Sequence, residues 1–294
     1  MTKRLFDKID KDMAKQVKKN KFLLDNGTIE PLTKDYQYAT NGTYFLCAKM
    51  GGGKSYFIMK HILITEQLFD EPYYDTIIFC STSEGLDNTV KAQQSLVKTP
   101  IINVNDKNLM TILRKHLDNK IKYYAVMAFI ESGGKEINKE MEHIIQKYHF
   151  RKLIRGKYKY DIKRIIQYAQ KKMNKYKFNS YPSNTLLILE DFAGNPLIKK
   201  VDSPLAQYIT KSRHYHLTTI IVAQKWRFIA INYKRLCSDL IIGKGYSMED
   251  FQKIITQTPT SHNWKELWEQ YKEMKSKHAK LVIHVNDAIE WIDE

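Results

Sequence analysis

The chain has 294 residues, 43 % apolar and 27 % charged, with a formal net charge of +16. That length fits one large α/β domain or two small ones with a full core, and the longest apolar runs, such as Leu217–Ala223, are far too short to span a membrane. The three cysteines, Cys47, Cys80 and Cys237, are too widely separated for a disulfide framework or paired zinc spacing, and the charged N-terminus lacks a signal-peptide core, which together point to a reducing compartment.

Residues 1–20 hold seven Lys/Arg against three Asp. Residues 1–35 read as a basic N-terminal extension, with a helix expected over Leu5–Lys19 and a turn at Asn26-Gly27. An apolar strand follows, from about Gly42 to Cys47. It stops at Ala48-Lys49-Met50-Gly51-Gly52-Gly53-Lys54-Ser55, and a helix-compatible segment runs from Lys54 to about Phe69, with Pro72 ending the unit. Strand, glycine turn and helix match the spacing of a phosphate-binding loop, with Ala48 where the strict pattern has Gly.

The residue types suit that chemistry. A triphosphate needs several backbone N–H donors aimed at one anion, and glycines let the chain curl closely around it. The helix N-terminus adds donors and the positive end of its dipole. Met50, Gly51, Gly52, Gly53, Lys54, Ser55 and Tyr56 are therefore the candidate ATP-binding stretch. Lys54 is expected on the β/γ-phosphates and the Ser55 hydroxyl on Mg²⁺.

Asp75–Cys80 is apolar on both faces, as in a buried parallel strand. A loop is expected over Ser81–Gly85, a helix over Leu86–Val97 and a short strand over Ile101–Val104. Asn108–Lys135 reads as a helix broken by Ser132-Gly133-Gly134. Glu136–Lys177 reads as two or three basic helices separated near Arg155-Gly156-Lys157. Residues 147–177 carry twelve Lys/Arg against Asp161 alone, whereas residues 246–294 carry six Lys against nine Asp/Glu. Such polarity suggests that one face meets a polyanion. Arg151, Lys152, Arg155 and Lys157 are the first-choice DNA contacts, with the N-terminal block second. Interleaved aromatics, among them Tyr148, Tyr158, Tyr160 and Tyr168, read as apolar faces of amphipathic helices, with base stacking as the alternative.

Thr185-Leu186-Leu187-Ile188-Leu189-Glu190-Asp191 is the second motif: an apolar strand tipped by two carboxylates, expected to neighbour the nucleotide strand. One carboxylate holds the metal and the other activates water. By position Glu190 takes the metal and Asp191 the water, although the commoner order is Asp then Glu, and either remains open as the base. Leu217–Gln224 is a further buried strand ending in an amide able to sense a γ-phosphate and orient water. Arg213 precedes that strand and Arg235 follows it; either suits a cation supplied to a neighbouring subunit. Asp239–Ile242 is another strand, Ser247–Thr256 and His262–Met274 read as helices, and Lys280–Val285 as an edge strand. The alternation implies an α/β fold with a mainly parallel sheet.

The run Ser212-Arg213-His214-Tyr215-His216-Leu217 through Gln224, together with Ala48–Ser55 and Leu186–Asp191, resembles the genome-packaging ATPases of large double-stranded DNA viruses and virophages, in the FtsK–HerA superfamily. The resemblance spans roughly Tyr44–Gly243. It implies a RecA-like P-loop core, ATP hydrolysis with Mg²⁺, a hexameric or pentameric homo-oligomeric ring, translocation of double-stranded DNA, capsid proteins as partners, and a place in the virion or host cytoplasm. The expected division is an extension over 1–35, an ATPase core over 36–245 with a basic helical insertion at about 107–180, and C-terminal helices with an edge strand over 246–294. The competing readings are a nucleoside or small-molecule kinase, another DNA-pumping or helicase ATPase, and a DNA-binding or secretion scaffold with a degenerate nucleotide site. The nine histidines show no metal spacing.

Overall fold

The computed structural model describes residues 41–68, 73–82, 91, 94–176, 183–192, 194–276, 278–284 and 289–292. The helix expected over Leu5–Lys19, the turn at Asn26-Gly27 and most of the helix expected over Leu86–Val97 lie outside them.

In chain order, strand β1 (Thr43–Cys47) leads to helix α1 (Lys54–Leu68), then β2 (Thr76–Ser81) and β3 (Ile101–Asn105). Helix α2 (Asp106–Glu131), α3 (Lys139–Lys147), β4 (Arg151–Ile154), β5 (Lys157–Tyr160) and α4 (Ile162–Tyr176) form the insertion. The core resumes with β6 (Thr185–Glu190), α5 (Pro196–Lys199), α6 (Pro204–Thr210), α7 (Ser212–Tyr215) and β7 (Leu217–Ala223). A 3₁₀ turn at Trp226–Phe228, α8 (Ile231–Lys234), β8 (Cys237–Gly243), α9 (Met248–Thr256), α10 (Trp264–Glu273), β9 (Lys280–His284) and β10 (Ile289–Ile292) complete it.

Eight strands form one sheet in the order β10-β9-β8-β1-β7-β6-β2-β3. The six from β8 to β3 run parallel, and β9 and β10 are antiparallel additions. The two-residue period of a strand explains the layering. Tyr44 and Leu46 point into one apolar cluster with Phe57, Met59 and Ile62 of α1. Phe45 and Cys47 point into the other, with Leu113 of α2, Ile209 of α6 and Phe251 and Tyr271 of α9 and α10. Both faces are covered, so β1, β2 and β7 are buried throughout.

Two expectations are corrected. Lys280–Val285 does not form the edge: β10 pairs outside β9, with Ile289 opposite Ile283, and Leu281 and Ile283 belong to the main core. The basic segment is not helical throughout. Its centre is an antiparallel hairpin, Arg151 opposite Tyr160 and Ile154 opposite Lys157. Arg155 and Gly156 both have positive φ, 50° and 72°, as a two-residue hairpin turn of matching twist requires. Leu153, Ile154, Tyr158 and Tyr160 supply the strand preference that the lysines masked.

The insertion carries its own small core. Val126 and Phe129 from the second half of α2 pack with Met141, Ile144, Phe150 and Ile165, while Leu109, Leu113 and Leu117 from its first half pack in the main core. A 26-residue helix, about 39 Å long at 1.5 Å per residue, thus joins the two. Among the described residues, no helix is long and apolar enough to cross a membrane.

Candidate nucleotide site

The site is made where parallel strands end. Gly51 and Gly53 have φ of 74° and 71°, which a side chain would strain. Gly52 has ordinary φ, but a Cβ there would sit 3.0 Å from the Lys49 carbonyl oxygen and 3.1 Å from Ala48 Cβ. All three glycines are therefore required by the loop's curl. The Gly52 N–H donates to the Lys49 carbonyl at 3.1 Å, and the Phe57 N–H to the Gly53 carbonyl at 2.9 Å as α1 begins. Met50 stands 88 % exposed at the crest. Ala48 is accommodated from across the sheet: a Cβ on Gly243 would come within 2.6 Å of Ala48 Cβ, so a glycine at the end of β8 makes room for the methyl.

Five side chains from two strand ends and the start of α1 meet here. Ser55 Oγ donates to Glu190 Oε1 at 2.8 Å. Gln224 Nε2 donates to Asp191 Oδ1 at 2.9 Å. Lys54 Nζ donates to the Lys49 carbonyl at 3.1 Å. Burial lowers the Lys54 pKa from its ordinary value, and the nearby carboxylates of Asp191 and Glu190 pull it back up. Asp191 has φ of 52°, a left-handed conformation Asp tolerates better than most residues. Thr82 Oγ1 donates to the Asp191 carbonyl at 3.2 Å, fixing the turn that separates the two acids.

The expected adjacency of nucleotide strand and acid strand is corrected. In the sheet β7 lies between β1 and β6. Gln224, at the end of that middle strand, accordingly stands between the glycine loop and Asp191. Sequence order could not reveal this, because β7 follows β6 in the chain yet inserts beside β1.

The two candidate arginines are elsewhere. Arg213 lies in α7 and Arg235 caps α8, both just before parallel strands begin. Thr43 pairs with Thr219 and Cys237, and Cys47 with Ala223 and Ile242. The length of β1, about 13 Å at 3.3 Å per residue, therefore separates both arginines from their own chain's glycine loop. Both are exposed. The four candidate DNA contacts sit on the exposed hairpin. Of these, Lys152 is engaged with Asp161 at 2.7 Å, and the Arg151 guanidinium lies 5.8 Å from the centre of the Tyr160 ring.

The sequence reading missed several neighbours. Tyr246, after β8, donates from its hydroxyl to the Gln224 carbonyl at 3.2 Å, and Lys49 Nζ lies 5.8 Å from its ring centre. His278 and Lys280, at the start of β9, flank Gly53: a Cβ there would be 3.3 Å from His278 Nδ1 and 3.8 Å from Lys280 Nζ. A cleft of about 840 Å³ opens beside the loop, lined by Lys49, Met50, Gln224, Tyr246 and Asp250 among others. Gly243 and Gly245, close against Ala48 and Lys49, are a sequence signal for the approach of the Tyr246 turn to the loop; His278 and Lys280 carry none.

A parallel sheet with a glycine loop at one strand end and an acid and an amide at two others defines a P-loop ATPase of RecA-like architecture. The chain belongs to the family described as Poxvirus A32 protein, whose family model matches residues 121–291. No curated protein sequence matches it. Among solved structures, EssC (ATPases 2 and 3) from Geobacillus thermodenitrificans superposes with a TM-score of 0.50 at 12 % identity, over 88 % of this chain and 40 % of that one. B204, the DNA-packaging ATPase of Sulfolobus turreted icosahedral virus, gives 0.48 at 12 % identity over 87 % and 98 %. The B204 genome packaging NTPase of the related virus 2, in complex with ATP-gammaS, gives 0.49 at 13 % over 86 % and 97 %.

Proposed function

We propose that this chain is an ATP-driven DNA translocase that packages a viral double-stranded DNA genome, working as a homo-oligomeric ring with Mg²⁺. The observation that carries the ATPase reading is the pair of hydrogen bonds Ser55–Glu190 and Gln224–Asp191, which link the glycine loop, the acid strand and the amide strand. Membership of the A32 family and the basic hairpin support DNA as the polymer moved. Capsid proteins are the proposed docking partners, in the virion or the host cytoplasm.

The donor set suits a magnesium–triphosphate: curled glycine backbone, one lysine, one hydroxyl and one carboxylate. Gly51–Ser55 and the start of α1 bind the phosphates, and Lys54 neutralises charge on the β and γ groups. Ser55 and Glu190 are the proposed Mg²⁺ residues; the ion, when bound, neutralises charge developing on the phosphate oxygens. Asp191, held by Gln224, accepts a proton from water as the water oxygen bonds to the γ-phosphorus and the bridging bond breaks, its electron pair leaving on ADP. Arg213 or Arg235, placed at the other end of β1 from its own glycine loop, is the proposed cation for the site of an adjacent subunit. The proposed division keeps a core with a basic insertion, supported by the insertion's separate apolar cluster, and places residues 246–284 with the core sheet.

The test measures phosphate release by the purified chain with MgATP, with and without duplex DNA, beside reactions offering nucleosides as acceptors. DNA-stimulated release of free phosphate is expected. Phosphorylated acceptor in place of free phosphate would turn the reading towards a kinase, and no affinity for any nucleoside triphosphate with magnesium would end it.

A further inference from the structure

We propose that Lys199, Lys225 and Arg227, gathered around the Phe228 ring, form a second grip on the DNA backbone, separate from the hairpin and joined directly to the hydrolysis site. This rests on the DNA-motor reading above and extends it to residues that the sequence analysis did not single out.

Three cations share one aromatic ring. Lys199 Nζ, Lys225 Nζ and the Arg227 guanidinium lie 5.5, 5.8 and 4.9 Å from its centre. All three residues are exposed, and none makes an ion pair among the described residues. A single exposed cation over a ring is ordinary. Three within 5.8 Å of one ring centre lie no more than about 11 Å apart, near enough to repel at low salt, and an anion laid across them relieves that repulsion. Cations on a half-buried ring, with no built pocket for one anion, suit the sequence-independent phosphates of a nucleic-acid backbone.

The cluster's position ties it to catalysis. Lys199 ends α5, in the connection that follows Glu190 and Asp191, and Lys225 directly follows Gln224. The two connections are joined by the Ala230 N–H donating to the Ile198 carbonyl at 2.8 Å. Trp226, between Lys225 and Arg227, is buried and packs edge-on against Phe45 of β1 at 5.3 Å. The turn is thus anchored in the core under the glycine loop, while its cations face out. Gln224 is hydrogen-bonded to Asp191 at the proposed γ-phosphate position, and the next residue along the chain is the exposed Lys225, so a change in that bond during the proposed cycle would pass directly to the cluster. The hairpin, by contrast, sits on the insertion's own core and reaches the main core through α2.

One alternative is intrinsic to the geometry. Lys225 and Arg227 also line the cleft beside Lys49 and Met50, so they are near enough to the phosphate loop for a role in nucleotide binding. The experiment separates the two. The full chain carrying Lys199→Gln, Lys225→Gln and Arg227→Gln is compared with wild type and with a hairpin variant, Arg151→Gln, Arg155→Gln and Lys157→Gln. Duplex binding is measured against salt with a non-hydrolysable ATP analogue present, and phosphate release is measured with and without duplex. For the cluster variant the log–log salt slope is expected to become shallower by about 2–3, and the ratio of DNA-stimulated to unstimulated turnover to fall towards one. The hairpin variant is expected to flatten the salt slope but keep a stimulation ratio well above one at saturating DNA. A charge-retaining variant, Lys199→Arg, Lys225→Arg and Arg227→Lys, is expected to keep both slope and ratio, which controls for misfolding. A wild-type slope and ratio in the cluster variant would overturn the proposal. So would a raised KM for ATP with unchanged DNA dependence, which would assign the cluster to the nucleotide. A wild-type chain that neither binds DNA nor responds to it would remove the DNA-motor reading itself.

Discussion

The strand-end site and the basic hairpin are built on opposite terms. The site draws its residues from the start of α1 and the ends of β6 and β7, so that Ser55, Glu190, Asp191 and Gln224 are fixed by the order and register of the buried strands. The hairpin is eight strand residues and a two-residue turn, nearly all exposed, with Leu153 63 % and Tyr158 75 % accessible. It is held at its base by Lys152 against Asp161 and by the apolar cluster of α2, α3 and α4. A two-stranded ribbon alone is marginal in water, so its stability is borrowed from the helices beneath it. The comparison teaches that precision comes from the sheet and adaptability from the insertion: the chemistry tolerates no sliding of parts, whereas contact with phosphates tolerates a great deal.

If this contrast is right, single substitutions at the strand ends abolish turnover, while the hairpin has to be neutralised in bulk to be felt. Lys54→Ala should lower ATP turnover by roughly 100-fold or more, with an unchanged circular-dichroism spectrum; normal turnover in the folded variant would remove Lys54 from the site. Asp191→Asn should retain ATP and lose turnover by about 10²–10⁴-fold, whereas full rate would move the base to Glu190 or elsewhere. Neutralising Arg151, Lys152, Arg155 and Lys157 together should flatten the log–log salt dependence of DNA binding by about 3, fewer than the four residues changed because Lys152 already has a partner; an unaltered slope would exclude the hairpin.

Smaller effects sharpen the same contrast through stability. Gly243→Ala brings a methyl to 2.6 Å from Ala48 Cβ and should cost about 1–3 kcal/mol. Adding Ala48→Gly should recover part of that loss; additive costs in the double variant would show that the two positions do not meet. His61 and His116, both buried, have pKa values pushed down to about 3, by burial and, for His116, also by Lys120. Each is held neutral in the fold but takes a proton at its ordinary value near 6.5 when unfolded. Stability is therefore full above about pH 6.5 and falls as pH drops towards 3, by up to about 1.4 kcal/mol per pH unit for each histidine. Melting temperature followed from pH 7 to pH 5 should fall, and replacing His116 by Gln should reduce the slope; a flat profile in the wild-type chain would contradict the burial of both rings.

Much of the fold was legible in the chain. The glycine loop announced itself because Gly takes φ near +70° without the strain a side chain would add at Gly51 and Gly53, and because Gly52 has no space for a Cβ. The buried strands β1, β2, β6 and β7 appeared as apolar runs because both faces of a covered parallel sheet exclude water. The hairpin was misread because its lysines and tyrosines suit an amphipathic helix as well as a ribbon, and only the left-handed pair Arg155-Gly156 decides between them.

By itself, then, the sequence determined local things: where the backbone curls, which segments are apolar enough to be strands, which residues carry charge. Those depend on a residue and its near neighbours. Tertiary structure alone decided that β7 enters between β1 and β6, that Gly243 yields space to Ala48, that Arg213 and Arg235 lie at the other end of β1 from their own glycine loop, and that three cations collect at Phe228. Each of these is a meeting of segments distant along the chain, set by how whole strands and helices pack, and no local preference encodes it.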